Sequence, residues 1–226
     1  MAATLPKTKT VIGTIPEIIA NAHGLYLGNL RYYFQVFFKY TQNLEAFYHN
    51  FRHMMHVTYL CYLACVFYRD VLIPRRMRNL LIGALFHDFD HLGATVSDDI
   101  NIARALVGLR RHILPRDKFE LPDIEEIVAA SEFPHKKDVP LSLEALILRD
   151  ADIAQVFSSV WVQQIIFGLA KEKGVSPHEM LEGQEAFLKN LHFETKWAQE
   201  KFPQRIIDAK IEEVRGYIDV LRPDTI

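Results

Sequence analysis

Residues 75–93 read RRMRNLLIGALFHDFDHLG, and this stretch decides the fold. Its apolar side chains recur at intervals of three and four, for example through Leu81, Leu85 and on to Asp88. That period is typical of a helix with one face in the core. The stretch ends with a polar pair on the face that should be buried, where polar groups without partners are costly. We therefore predict a helix that delivers His87 and Asp88 into the interior.

The helical period continues on both sides of this stretch. Further helices are predicted over residues 51–69, 98–113 and 122–133, from Ser142 past Phe157 and on to Lys173, from Ser176, and over 207–221 between Pro203 and Pro223. Ser176 and Glu179 have the spacing of a capping box, and Gly174 is placed to stop the helix before it. Strand signals are weak, and we find neither an internal repeat nor a linker. The sequence predicts one all-α domain over residues 1–226, with about eight to ten helices.

Composition and charge narrow the class of protein. Half of the residues are apolar and 24% are charged, an ordinary globular balance that excludes a mainly disordered chain. The formal net charge of −2 gives no overall attraction to nucleic acid or to anionic membranes, so neither is expected as a partner. Cys61 and Cys65 are predicted as small buried residues without a disulfide. With no apolar run of signal or membrane-span length, we expect a reduced, cytoplasmic protein.

Histidine is the residue type that points to chemistry. His49 and His53 are four residues apart, a spacing that predicts one shared helix face. Asp152 lies on an otherwise apolar stripe, and His87 and Asp88 end the helix described above. Two imidazoles and two carboxylates on inward faces of three helices would be buried polar groups in need of partners. A divalent cation satisfies all of them, and such a ligand set suits Zn²⁺, Fe²⁺ or Mn²⁺.

Three motifs stand in order along the chain: YHNFRH at 48–53, HDFDHLG at 87–93 and ADI at 151–153. Together they resemble the HD superfamily of metal-dependent phosphohydrolases, and more closely its class I cyclic-nucleotide phosphodiesterases. The first is similar to the family's Tyr-His-Asn-x-x-His and the second to its His-Asp-x-Asp-His-x-Gly signature. The third resembles the segment that carries the last metal ligand. The resemblance implies an HD-type helical fold that hydrolyses a 3′,5′-cyclic nucleotide to the 5′-monophosphate.

The resemblance also implies residue roles at a two-metal site. The implied ligands of the first metal are His53, His87, Asp88 and Asp152. Asp88 is implied to bridge to a second ion, so the expected cofactors are two divalent metals among Zn, Mn, Fe and Mg. His49 is implied to be the general acid that protonates the leaving 3′ oxygen. Asp90 and His91 are implied to be outer-shell groups that orient ligands and water, while a loop-capping role for His91 stays open.

Substrate recognition is implied for residues further along the chain. Gln184 and Phe187 are similar to the family's purine-binding Gln and, three residues later, its Phe clamp. The alternative is a surface Gln beside a core Phe. The sequence departs from the family between Gly93 and Asp152, where VAASEFPH replaces a Leu-Ala-Thr-Asp run before a His and the segment is shorter. A nucleoside monophosphate or another phosphate ester therefore stays open as the substrate.

Two more functions stay open beside phosphoester hydrolysis. A di-iron HD oxygenase requires extra histidine ligands, for which His112 and His135 are the candidates. A non-catalytic module would bind a nucleotide without turnover. The aromatic surplus in residues 25–40 is typical either of a homodimer surface or of deep burial. The basic cluster in residues 75–78 is typical either of a phosphate contact or of a solvated face.

Overall fold

The computed structural model describes residues 15–21, 23–136 and 139–221, and every regular element within these ranges is helical. The α-helices are α1 (Ile15–Ala20), α2 (Arg31–Tyr40), α3 (Phe51–Phe67), α4 (Pro74–Phe86), α5 (Asp98–His112), α6 (Leu121–Ala130), α7 (Leu143–Ile153), α8 (Ala170–Lys173), α9 (Pro177–Lys189), α10 (Lys196–Lys201) and α11 (Gln204–Val220). Eight of these described helices have ten residues or more. The all-α fold predicted from the sequence is confirmed.

Local sequence signals explain where several helices begin and end. The capping box at the start of α9 is confirmed, since the Ser176 side chain accepts from Glu179 N and the Glu179 side chain accepts from Ser176 N. Gly174 ends α8 with φ +69°, a left-handed conformation that suits glycine. Helix α11 begins after Pro203 as expected, whereas Pro223 lies outside the described residues.

Two predicted helices are longer than the helices observed. Helix α6 ends at Ala130 rather than at Phe133. Pro134 disfavours a helical backbone at Phe133, the residue before it, so the helix cannot extend to that position. Helix α7 ends at Ile153 and does not continue to Lys173. A short 3₁₀ turn follows it over Ala154–Phe157, and the backbone then closes a tight turn in which Ser158 N donates to Gln155 O at 3.0 Å.

The chain resumes as a π-helical segment over Val162–Leu169, which leads into α8. This arm lies at 96° to the arm that contains α7. Within the described residues no single helix is long and apolar enough to cross a membrane. Only the two arms taken together, Leu143–Phe157 and Val162–Lys173, reach that length and composition.

Helix α4 lies at the centre of the bundle and packs against α2, α3, α5, α6 and α7. Close approach between these elements depends on two glycines. A Cβ on Gly83 would lie 2.6 Å from Ile127 Cγ2, and one on Gly108 would lie 2.4 Å from the Phe89 ring. Cys61 and Cys65 are buried free thiols, as predicted. Because these five helices surround α4, its C-terminal end lies in the middle of the core, where Leu85 and Phe86 are fully buried.

Candidate metal centre

Four side chains that are far apart in sequence converge at the end of α4. His53 comes from α3, His87 and Asp88 from the turn after α4, and Asp152 from the last turn of α7. His53 Nε2 is 3.1 Å from Asp88 Oδ2 and 3.0 Å from Asp152 Oδ1. His87 Nε2 is 3.2 Å and 3.9 Å from the same two oxygens. The structure thus brings together all four side chains that the sequence proposed as ligands of the first metal.

The spacing of these atoms fits a shared cation. Ligand bonds of about 2.1 Å place neighbouring ligand atoms roughly 3.0–3.4 Å apart around an octahedral or tetrahedral ion. The two imidazole nitrogens are 3.4 Å apart, and three of the four nitrogen–oxygen distances are 3.0–3.2 Å. His53, His87 and Asp88 have the mutual spacing of metal ligands, and Asp152 Oδ1 lies 3.0 Å and 3.9 Å from the two nitrogens. Imidazole nitrogens with carboxylate oxygens form a donor set that suits a borderline divalent ion.

A hydrogen bond to the His87 ring aims one lone pair at the centre of the cluster, whereas His53 Nδ1 has no partner among the described residues. His87 Nδ1 lies 2.8 Å from the carbonyl oxygen of Ala84, which can only accept, so Nδ1 carries the proton. The neutral His87 ring therefore presents the lone pair of Nε2 to the cluster. Asp88 Oδ2 is buried and has no hydrogen-bond donor among the described residues, although it faces two imidazoles. A buried carboxylate oxygen in that position needs a positive partner.

The charges of the cluster are strongly coupled. Burial lowers the pKa of His53, but the carboxylates of Asp152 and Asp88 outweigh burial and raise its pKa to about 10. The same carboxylates raise the pKa of His87 against its burial. Burial raises the pKa of Asp88, but His87 and His49 reverse this effect and hold it well below the usual range. The buried carboxylate of Asp88 and the partly buried carboxylate of Asp152 therefore attract positive charge, which a metal cation or protons on the imidazoles supply.

His49 reaches the cluster from a different position than its spacing suggested. Helix α3 begins at Phe51, so His49 lies in the loop before the helix. The prediction that His49 and His53 share one helix face was therefore wrong. The side chain of Asn50 accepts hydrogen bonds from Arg52 N and His53 N and is the N-cap of α3. Because Asn50 is the N-cap, the helix begins after it and does not include His49. The two imidazole rings still lie 5.8 Å apart, centroid to centroid.

Glu172 on α8 holds His49 in place, a contact that the sequence did not reveal. His49 Nδ1 donates to Glu172 Oε2 at 2.6 Å, and Glu172 Oε1 accepts from Tyr48 N at 2.6 Å and His49 N at 3.0 Å. Burial raises the pKa of Glu172, but these bonds outweigh it and lower the pKa below its ordinary value. An ionised carboxylate on Nδ1 fixes the ring and leaves Nε2 as the nitrogen available for proton transfer.

His91 and Asp90 lie beside the cluster in loop-ordering positions. The His91 ring stacks on the His49 ring at 3.6 Å and 17°. Its Nδ1 accepts from Gly93 N at 2.9 Å, so the loop-capping role that stayed open is present in the structure. Asp90 has φ +61°, and its Oδ1 accepts from Gln42 N at 2.9 Å. Its carboxylate therefore holds the loop around Gln42, and its implied outer-shell role toward water stays a prediction.

A second group of side chains has the spacing of metal ligands. The atoms of His49, Asp88 and His91 lie within 4.8 Å of one another, as do those of His53, His87 and Asp88. Asp88 belongs to both groups, which is the position that a bridging carboxylate would need. Asn43 holds this region together, because its Nδ2 donates to the carbonyl oxygens of Asp88 at 3.0 Å and His49 at 2.5 Å.

A cavity of about 560 Å³ opens beside the cluster, and its lining includes His49, His91 and Asp152. Gln184 and Phe187 line the same cavity. Gln184 is buried, which contradicts the alternative of a surface glutamine. Its Nε2 donates to the Met180 carbonyl oxygen at 3.3 Å, so the opposite side of the amide is the acceptor oxygen.

His112 and His135, the candidates for extra metal ligands, are placed differently from each other. The His112 ring stacks on Tyr40 at 4.7 Å, and burial lowers its pKa. His112 is absent from both groups with ligand spacing among the described residues. His135 Nε2 is buried without a partner among those residues, and burial lowers its pKa while the charge of Asp152 opposes this effect.

Comparison of the chain with protein-family models, with curated proteins and with solved structures gives no match in any of the three.

Proposed function

We propose that this protein is a metal-dependent phosphohydrolase of the HD type, and that its substrate is a 3′,5′-cyclic nucleotide. The observation that carries the proposal is the convergence of His53, His87, Asp88 and Asp152 beside a cavity that His49 also lines. A cluster of structural ion pairs would not require a proton-transfer group at the same point. The motif order that resembles the phosphodiesterases supports the same function.

The metal-binding residues supply the electrostatic part of the proposal. A divalent cation held by these four side chains would polarise a phosphoryl oxygen and lower the pKa of water toward neutrality. Asp88 and Asp152 balance its charge, and the Ala84 carbonyl holds the His87 ring in the orientation that ligation needs. Helices α3, α4 and α7 hold these four side chains on one rigid core, so that little reorganisation accompanies binding.

His49 supplies the proton in the proposed reaction. When a cyclic phosphodiester opens, the 3′ oxygen leaves as an alkoxide unless an acid protonates it. Glu172 orients the His49 ring for this step, because its carboxylate accepts from Nδ1 at 2.6 Å. His49 Nε2 then donates its proton to the leaving oxygen. A positioned acid of this kind contributes roughly 10²–10⁴ in rate.

The cavity supports a nucleotide as the substrate. Beyond the histidines, its lining includes the apolar side chains of Ile153, Ile165 and Leu169, and the ring of Phe187. Flat heterocycles bind in apolar sites of this kind, with a few polar groups to fix their orientation. The Gln184 amide offers its oxygen to a hydrogen-bond donor on the base.

The test is turnover of purified protein against cyclic and linear nucleotides, with and without added Mn²⁺, alongside elemental analysis. The proposal expects 5′-monophosphate from a 3′,5′-cyclic nucleotide and loss of that activity in Asp152→Ala. His49→Ala should slow a cyclic nucleotide, whose leaving group is an alkoxide, by roughly 10²-fold or more, and a nitrophenyl ester far less. Binding of nucleotides without turnover under any divalent ion would refute the proposal.

A further inference from the structure

A surface away from the cluster combines exposed apolar side chains with cations. We call it the basic platform, and it consists of residues 27–29, 73–78 and 115–120. Its apolar tips are Leu27, Ile73 and Phe119, which are 54%, 58% and 87% exposed. Single exposed aliphatic residues are common, but a phenylalanine so fully exposed, on a segment that hydrogen bonds join to those of Leu27 and Ile73, marks an interaction surface.

A buried arginine joins the three segments of the platform. Arg78 Nη1 donates to the carbonyl oxygens of Leu27 and Asn29, each at 3.0 Å. Its Nε and Nη2 donate to Asp117 at 3.2 Å and 2.9 Å. Four hydrogen bonds from one guanidinium therefore hold the tips on a fixed base, because Asp117 and Phe119 share one 3₁₀ turn. The Leu27 amide adds a bond to Pro74 O at 3.2 Å.

The basic platform carries a net positive charge, whereas the whole chain carries a net negative charge. Its three segments contain five cations and two carboxylates, and Glu144 of α7 forms an ion pair with Arg76. Counting that carboxylate, the surface has a formal charge of +2 on a chain of −2. The side chains of Arg75 and Arg116 are 53% and 61% exposed, and they lie 3.0 Å and 3.8 Å from the carboxylates of Glu120 and Asp117. Lys118 is exposed and has no acidic partner among the described residues. The expectation that no membrane would be a partner came from the net charge, which conceals this local reversal.

We infer that the basic platform docks on a membrane surface rich in anionic lipid, with Phe119 inserted among the lipids and the cations at the phosphates. The charge argues against a second copy of this chain, because a two-fold contact through the platform would oppose +2 with +2. The fixed apolar tips surrounded by cations suit a fluid anionic layer, which adapts to them without preformed pockets. Apolar insertion and electrostatic attraction together give stable but reversible adsorption.

The experiment is co-sedimentation of the full chain with vesicles of phosphatidylcholine alone, or of phosphatidylcholine and phosphatidylserine at about two to one. Binding is expected with phosphatidylserine only, and about 0.5 M NaCl should release it because the Debye length falls to roughly 4 Å. Phe119→Ala should weaken the partition roughly tenfold. Lys118→Glu should weaken it at least about fivefold.

Phe38→Ala is the matched control, because Phe38 is 55% exposed and lies on α2 outside the platform. It should bind vesicles like the unmodified chain. Phe119→Ala should keep the thermal unfolding midpoint, because Phe119 is almost fully exposed. Phe38→Ala loses ring contacts with Phe37 and Phe51, so binding is compared well below its unfolding midpoint. Absence of binding to phosphatidylserine vesicles, or equal loss in Phe119→Ala and Phe38→Ala, would overturn the inference. Retention on a polyglutamate resin through Lys118, without vesicle binding, would overturn it in favour of an acidic protein partner.

Discussion

Replacing Glu172 by Gln tests whether this carboxylate makes His49 an acid. In the unmodified chain the backbone amides of Tyr48 and His49 donate to Glu172 Oε1 at 2.6 Å and 3.0 Å, and the glutamine oxygen can still accept both hydrogen bonds. Its amide nitrogen cannot accept from His49 Nδ1, so the 2.6 Å bond is lost selectively. The Glu172 side chain is only 5% exposed, and little solvent screens the bond.

A hydrogen bond to a charged group is worth about 1.5–3 kcal/mol, which corresponds to roughly 10-fold to 150-fold in rate if the bond acts on the protonated ring. We expect Glu172→Gln to lower kcat for a cyclic nucleotide by this factor. A nitrophenyl phosphodiester has a leaving group that needs no proton, so its kcat should change less than threefold.

The control for Glu172→Gln is Glu179→Gln, because the Glu179 side chain lines the cavity beside the cluster. Among the described residues, the Glu179 carboxylate forms hydrogen bonds only with Ser176, so this variant should keep kcat for both substrates. Stopped-flow or steady-state kinetics on the two esters give the comparison. Equal losses on both esters, or an unchanged kcat on the cyclic nucleotide, would refute the role of Glu172.

Three further predictions follow from burial and charge. Gln184→Ala should raise KM for purine cyclic nucleotides roughly threefold to tenfold and leave nitrophenyl esters unchanged, as steady-state kinetics can check. In metal-free protein the pKa of His53 is raised to about 10, against about 6.5 in the unfolded chain. This difference stabilises the fold fully below about pH 6.5, so the free energy of unfolding should fall as the pH rises from there toward 10. Saturating metal should suppress that fall, because the cation replaces the proton. Gly108→Ala should destabilise by about 1–3 kcal/mol through contact with Phe89, whereas Gly216→Ala, with no atom within 4 Å, should stabilise α11 by about 0.5–1 kcal/mol; urea unfolding measures both.

The convergence of the four side chains could be predicted largely because three of them stand out against their own helices. His87, Asp88 and Asp152 interrupt apolar faces, and a polar side chain on such a face needs a partner in the core. The helical period also predicted the central helices to within a few residues. These signals are local, so one sequence is enough to read them.

Glu172 could not be predicted because its position depends on a bend. A continuous helix from Asp152 to Glu172 would separate them by about 30 Å, at 1.5 Å for each of twenty residues. The 96° bend between the two arms instead returns Glu172 to His49. The polar residues Ser158 and Ser159 mark the break only weakly. The N-cap role of Asn50 was similarly hidden, since the spacing of His49 and His53 fits a longer helix equally well.

The most direct test of the account is anomalous diffraction from crystals of the protein grown with Mn²⁺. We predict one strong anomalous peak, from bound Mn²⁺, in the middle of the cluster. It should lie within ligand distance of Nε2 of His53 and His87 and of the carboxylates of Asp88 and Asp152. A map with no peak among these four side chains, at Mn²⁺ concentrations that saturate other manganese enzymes, would contradict it.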